Sequence, residues 1–194
     1  MATHQSEIAD GQLRVLFLDE CHLLWGDISG YGWSRRKQRV DVEVKSTKQR
    51  QTYYGALDYL TKQFVVKEYS AGNEENTVAF LQYLQSLYVE NTRLVIVWDG
   101  VSYHRSKVVQ EFLEQTNGGL PTEAWKITCI RLAPNAPEQN PVEDVWLQAK
   151  QFIRKYARMC RRFGSVKFLF QLVTHCQTFA FAKAFMYGYC SSPI

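Results

Sequence analysis

Three acidic residues in this chain sit where side-chain chemistry tends to collect. Asp19 ends RVLFLDE (14–20), Asp99 ends RLVIVWD (93–99), and Glu143 lies in LAPNAPEQNPVEDVW (132–146). A single aspartate at a strand end is more often an acceptor for a backbone N–H. Two of them, each closing an almost wholly apolar run, call for a further reason. Gathering three carboxylates without a cation is unfavourable, because like charges about 4 Å apart repel by about 4 kcal/mol at an effective dielectric of about 20. Hard oxygen donors suit Mg²⁺ or Mn²⁺. Two such ions roughly 3.5–4 Å apart can clamp the attacking and leaving oxygens of a phosphodiester.

Glu143 also has a structural reading. With Asn140 as N-cap and Pro141 at the first helical position, Glu143 falls at the capping-box position. The two roles are compatible. Asp144 falls in line with Gln148, Gln151 and Lys155, a polar stripe expected to face water, whereas Glu143 lines up with Trp146, Leu147 and Lys150. His104, just beyond Asp99, reads equally as a helix-capping loop residue and as a contact to the scissile phosphate or to the metal's outer partners. Glu20 belongs with it as an outer partner, and His22 reads as a local hydrogen-bond partner.

These residues need elements to hold them. RVLFLDE, QTYYGALDYL (51–60) and KQFVVKEY (62–69) read as strands. A helix with a 3.6-residue apolar period follows from Gly72–Asn73, then the strand RLVIVWD, a helix over about 106–116, and the strand KITCIRLA (126–133). A helix from Pro141 is expected to run to about Phe163, with Gly164 and Ser165 separating it from a last helix. The first three strands form an antiparallel meander, and those after helices join in parallel through right-handed crossovers. The fold class is α/β: a mixed five-stranded sheet with helices on both faces, which puts Asp19 and Asp99 at one carboxyl edge if their strands are neighbours. Residues 1–12 read as a disordered tail and 13–194 as one domain.

Composition narrows the field. Of the 194 residues, 46% are hydrophobic, which excludes a disordered chain. Five scattered cysteines (Cys21, Cys129, Cys160, Cys176, Cys190) never form C-x-x-C, which argues against a disulfide framework and a zinc site. The polar start lacks a signal-peptide core, and no run of about 18 apolar residues suggests a membrane span. A reducing, cytoplasmic setting is the simplest expectation. The net charge of +4 matters less than its clustering. Arg35, Arg36, Lys37 and Arg39 begin one basic stretch, and Lys150, Arg154 and Arg158 repeat at four residues on one helix face, with Lys155, Arg161 and Arg162 close by. One such cluster is usually a solvated face. Two flanking the acidic motifs favour DNA phosphate contacts.

LFLDE, VIVWDGVSYHRS and LAPNAPEQNPVEDVW resemble the three acidic motifs of the IS630/Tc1/mariner superfamily of transposases. The third motif there reads L-P-P-Y-S-P-x-L-N-P-I-E-x-x-W. This chain keeps Pro137, Asn140, Pro141, Glu143 and Trp146 and departs at Ala133, Asn135, Ala136 and Gln139. In the second motif Asp99 and His104 match, while Gly100 replaces an asparagine. In the first, Asp19 and Glu20 match, and GYGWS (30–34) resembles the loop that follows. The likeness spans about 14–160, with TNGGLPTEAW (116–125) as an insertion before Glu143.

The resemblance implies an RNase H-like DDE catalytic domain with Asp19, Asp99 and Glu143 as ligands for two Mg²⁺ or Mn²⁺ ions. It implies cleavage at transposon ends and strand transfer into TA-containing target DNA. A homodimer is among the expected partners. The first motif begins almost at once, so the helix-turn-helix domains such transposases carry are expected to be lost by truncation, lost by decay, or supplied by a separate N-terminal polypeptide. Two rival readings are a nuclease of the same fold without strand transfer, and a catalytically silent or domesticated DNA-binding domain.

Overall fold

The computed structural model describes residues 4–29, 48–133, 139–175 and 178–179. The strands are β1 (Leu13–Leu24), β2 (Arg50–Asp58), β3 (Phe64–Tyr69), β4 (Arg93–Trp98) and β5 (Ile127–Arg131), and the helices are α1 (Gln5–Ala9), α2 (Glu74–Ser86), α3 (Lys107–Asn117), α4 (Pro141–Lys155) and α5 (Phe163–Thr174). The sheet order is β3-β2-β1-β4-β5. β1 pairs antiparallel with β2 and parallel with β4, and β5 pairs parallel with β4. This is the expected mixed sheet, and β1 and β4, whose adjacency the sequence left open, are neighbours.

Side-chain alternation in β1 sorts two cores. Leu13, Val15, Phe17, Cys21 and Leu23 pack with Val142, Trp146, Ala149 and Ile153 of α4 and with Val166 and Phe170 of α5. Leu16 and Leu18 point the other way, to Phe80, Leu81 and Leu84 of α2 and Val109 of α3. The same parity carries into the acids. Asp19 faces the α4 side, and Glu20 faces the α2 side.

Three expectations need correction. β1 does not end at Asp19. It continues to Leu24, paired with β2 as far as Leu24↔Arg50, so Asp19 is a mid-strand residue. The apolar alternation resumes at Cys21 and Leu23, which the acidic pair Asp19–Glu20 conceals.

The helix from Pro141 stops at Lys155, well short of Phe163. Tyr156 leaves helical geometry (φ −107°, ψ 20°), a 3₁₀ turn spans Ala157–Met159, and Arg162 is extended. The break lets α5 fold back so that Val166 and Phe170 reach the core that α4 covers. Gly164 and Ser165 lie in the first turn of α5 and do not separate two helices. Arg158 is therefore off α4, and the three-cation stripe is broken.

Within the segment expected to be a tail, α1 forms and buries Ile8 against the α4-side core. Among the described residues, no helix is long and apolar enough to cross a membrane.

A candidate active site at the β1–β4 edge

Asp19 is built into the sheet and is only 8% exposed. Its Oδ2 accepts a hydrogen bond from Trp146 Nε1 at 2.9 Å. The parallel ladder runs from Leu13↔Arg93 to Phe17↔Val97. Asp99 lies just past the end of β4.

α4 is anchored to the same strand by Asn140. Its side-chain oxygen caps the helix by accepting from Val142 N–H at 3.2 Å, and its Nδ2 donates to the Leu18 carbonyl at 3.0 Å. Asn140 is 2% exposed, so both bonds are shielded from water. Pro141 follows at N1, as the sequence predicts, since its missing N–H is not needed there. This one residue fixes where the first turn of α4, and hence Glu143, meets β1.

The carboxyl group of Asp19 is raised well above the usual carboxylate range, first by burial, then by the negative charges of Glu143 and Glu20, with Asp99 adding to them. The Trp146 hydrogen bond opposes these effects. Glu143 is exposed and Asp144 half-buried. The outward reading of that polar stripe therefore holds for Gln148, Gln151 and Lys155 more than for Asp144 itself.

Across the sheet lies a second cluster. His104 is 5% exposed and stacks on Trp98 with ring centroids 4.2 Å apart and planes within 7°. Its Nε2 lies 2.9 Å from Glu20 Oε1, and its Nδ1 lies 3.3 Å from Asp99 Oδ1. Burial would push the imidazole pKa down, but the bonds to Asp99 and Glu20 and their charges outweigh it and raise it to about 9. The two carboxylates thus favour the protonated form of His104, which is buried between them. Burial pushes the Asp99 carboxyl up, but the His104 contact and the Val101 N–H at 3.2 Å hold it below its ordinary value. A buried ring in this position is a holder of Asp99 and Glu20 and has no surface to offer a phosphate. Sequence reasoning placed His104 near Asp99; what it missed is that Glu20 reaches the same ring from β1.

Among the described residues, one group of three could hold a metal ion: Glu20, Asp99 and His104, whose ligating atoms lie within 4.8 Å of one another. The set expected from the sequence, Asp19, Asp99 and Glu143, is not gathered to that distance, and the Asp99 carboxylate is paired with His104. What links Asp19 to the other acids is charge: Glu143, Glu20 and Asp99 act on a buried carboxylate, and a hard divalent cation would relieve that accumulation.

The basic residues divide. Lys150 Nζ lies 3.5 Å from Asp27 Oδ2, and Arg154 Nε donates to the Asp27 carbonyl at 3.3 Å, so both tie α4 to the 3₁₀ turn Trp25–Ile28. Lys155, Arg158, Arg161 and Arg162 are exposed at the α4–α5 corner. Arg35, Arg36, Lys37 and Arg39 lie outside the described residues, as do the GYGWS loop, Pro137, Cys176 and Cys190. Cys21 and Cys160 are buried free thiols and Cys129 is half-buried.

Comparison with known proteins adds to this geometry. The model of the DDE superfamily endonuclease family matches residues 14–167. No curated protein matches the chain. A chain of the simian T-cell lymphotropic virus intasome in complex with PP2A regulatory subunit B56 gamma is similar at a TM-score of 0.54 and 10% identity, over 87% of this chain and 50% of that one. The catalytic core domain of BIV integrase is similar at 0.48 and 13% identity, over 82% and 80% of the two chains. A chain of the Mos1 strand transfer complex is similar at 0.48 and 12% identity, over 88% and 44%. The fold is RNase H-like, and the chain spans about half the length of the intasome chain it matches.

Proposed function

We propose, for a chain that belongs to the DDE superfamily endonuclease family, metal-dependent cleavage of DNA strands at the ends of a mobile element of the IS630/Tc1/mariner type, followed by transfer into TA-containing target DNA. The observation that carries this reading is the buried Asp19, with its carboxyl raised by burial and by the charges of Glu143, Glu20 and Asp99. A bound pair of Mg²⁺ or Mn²⁺ ions would be held by Asp19, Asp99 and Glu143, and would supply Lewis-acid activation of water or a DNA 3′-hydroxyl and stabilisation of the departing oxygen.

The chain's own residues do the positioning. Asn140 sets α4 against β1, Trp146 aims Asp19, and His104 with the Val101 N–H fixes Asp99. Glu143 enters from solvent at the helix start. Exposed Lys155, Arg158, Arg161 and Arg162 supply phosphate contacts that set register and read little sequence. A helix-turn-helix partner polypeptide, a homodimer that pairs two ends, and a cytoplasmic setting complete the proposal.

The test is Mn²⁺-dependent nicking of supercoiled plasmid by the purified chain, with Asp99→Asn as control. Nicking that Asp99→Asn abolishes supports the reading. DNA binding without nicking at any Mn²⁺ concentration supports a silent DNA-binding domain instead. Nicking without joining of a precleaved end supports a nuclease without strand transfer.

A further inference from the structure

Gly55 and Trp146 form a device around Asp19 that the metal reading does not include. In the β1–β2 ladder, Asp19 is paired with Gly55. A methyl group at Gly55 would lie 2.4 Å from Phe64 Cζ and 2.5 and 2.6 Å from Trp146 Cη2 and Cζ2. No real side chain fits at those distances. The strand is bare at this position because an indole ring occupies the space.

The ring is held on its other sides as well. Phe64 meets it edge-on at 5.2 Å (79°), and Phe170 of α5 stacks on it at 5.7 Å (17°). Trp146 is 3% exposed. With the ring confined between Gly55, Phe64 and Phe170, its one polar atom is directed to Asp19 Oδ2 at 2.9 Å. Core packing alone needs an aromatic ring here. It does not need an N–H, and it does not need that N–H aimed at a carboxylate.

We infer that Trp146 is a positioning residue, seated in a slot opened by Gly55, whose indole N–H holds one oxygen of Asp19 and leaves the other directed at the metal. The inference rests on the metal reading above. An outer partner of this kind fixes the orientation of a ligand, and its loss typically weakens metal binding by about 10- to 100-fold.

The experiment reads metal binding without DNA, as the Mn²⁺ concentration giving half the maximal rise in melting temperature. Trp146→Phe keeps a ring in the slot and removes the donor. It should raise the half-maximal Mn²⁺ concentration by about 10-fold or more. Should Trp146→Phe not fold, 3-benzothienylalanine at 146, which keeps the indole outline with sulfur in place of N–H, should do the same. Gly55→Ala, which keeps the donor but displaces the ring, should shift the curve the same way. Leu84→Ala, in the core on the opposite face of the sheet and away from Trp146, serves as the packing control. It should lower the metal-free melting temperature and leave the half-maximal concentration within about twofold, since it leaves the donor in place. A parent that responds to Mn²⁺ and a donor-less variant that responds at the same concentration overturn the role of Trp146 alone. A parent that does not respond overturns the metal reading, and this inference with it.

Discussion

At the scale of single residues, Glu143 and Asp144 are neighbours with different fates. The charges that raise Asp19 are those of Glu143, Glu20 and Asp99. Glu143→Gln is therefore expected to abolish Mn²⁺-dependent nicking while keeping the fold, since glutamine also serves at the third helical position. Asp144→Asn should leave nicking within a few-fold of the parent. Its charge in the first turn gains about 0.3–1 kcal/mol from the helix dipole. The reverse result in a nicking assay would show that the site takes the wrong carboxylate.

His104 makes a second residue-scale prediction, about pH. Its folded pKa, about 9, is raised above an ordinary value of 6.5. A cation stabilised by folding contributes fully below the lower value, and its contribution is lost as pH rises through the upper one. Asp19 acts in the same direction, because an acid raised by folding destabilises the native state once it ionises. In EDTA the melting temperature should fall between pH 6.5 and 9, and His104→Gln should flatten that fall. A parent curve flat over this window would show that His104 is neutral.

At the scale of elements, the anchoring of α4 is the feature to test. Asn140→Ala removes the cap on Val142 and leaves the buried Leu18 carbonyl without its donor. Loss of such a cap costs about 1 kcal/mol, and an orphaned buried group about 1–3 kcal/mol. Urea denaturation should register a loss of about 2–4 kcal/mol. A loss under about 0.5 kcal/mol would mean that α4 is held by its apolar face alone.

This part of the site was legible in the sequence, because Asn140–Pro141 is a local capping signal that acts within a few residues. The end of α4 was not. The apolar period of Phe152, Ile153, Tyr156 and Cys160 continues through the break, so only the need of α5 to return to the core reveals it. The continuation of β1 past Asp19 was hidden for a related reason: two acids interrupt a hydrophobic pattern that a long-range partner, β2, restores. Gly55 did carry a signal, since a glycine inside a strand often marks a close approach by another group. What approached it came from a helix 91 residues later in the chain, at Trp146.

At the scale of the whole molecule, the RNase H-like sheet places Asp99 beside His104, sets Asp19 under the charges of Glu143, Glu20 and Asp99, and leaves cations at the α4–α5 corner. The mixed pairing was legible because strands joined by helices pair in parallel, but the order β3-β2-β1-β4-β5, with β1 beside β4, was not. The division of the basic residues was not, because Asp27 lies in a turn more than a hundred residues before Lys150 and Arg154. DNA binding by this chain should be weak, largely independent of sequence and steeply dependent on salt. Replacing Arg158, Arg161 and Arg162 by glutamine should reduce the slope of log K against log salt by up to about 0.9 for each phosphate that is no longer neutralised. An unchanged slope would place the DNA path elsewhere on the surface.

The central claim is that Asp19, Asp99 and Glu143 converge on divalent cations. Anomalous diffraction from a crystal soaked in Mn²⁺ tests it most directly. The account predicts a peak in contact with carboxylate oxygens of Asp19 and Asp99, with Glu143 turned inward to complete the site and His104 still paired with Glu20. A peak lodged instead between Glu20 and His104, or a saturating soak with no peak beside Asp19, would contradict it.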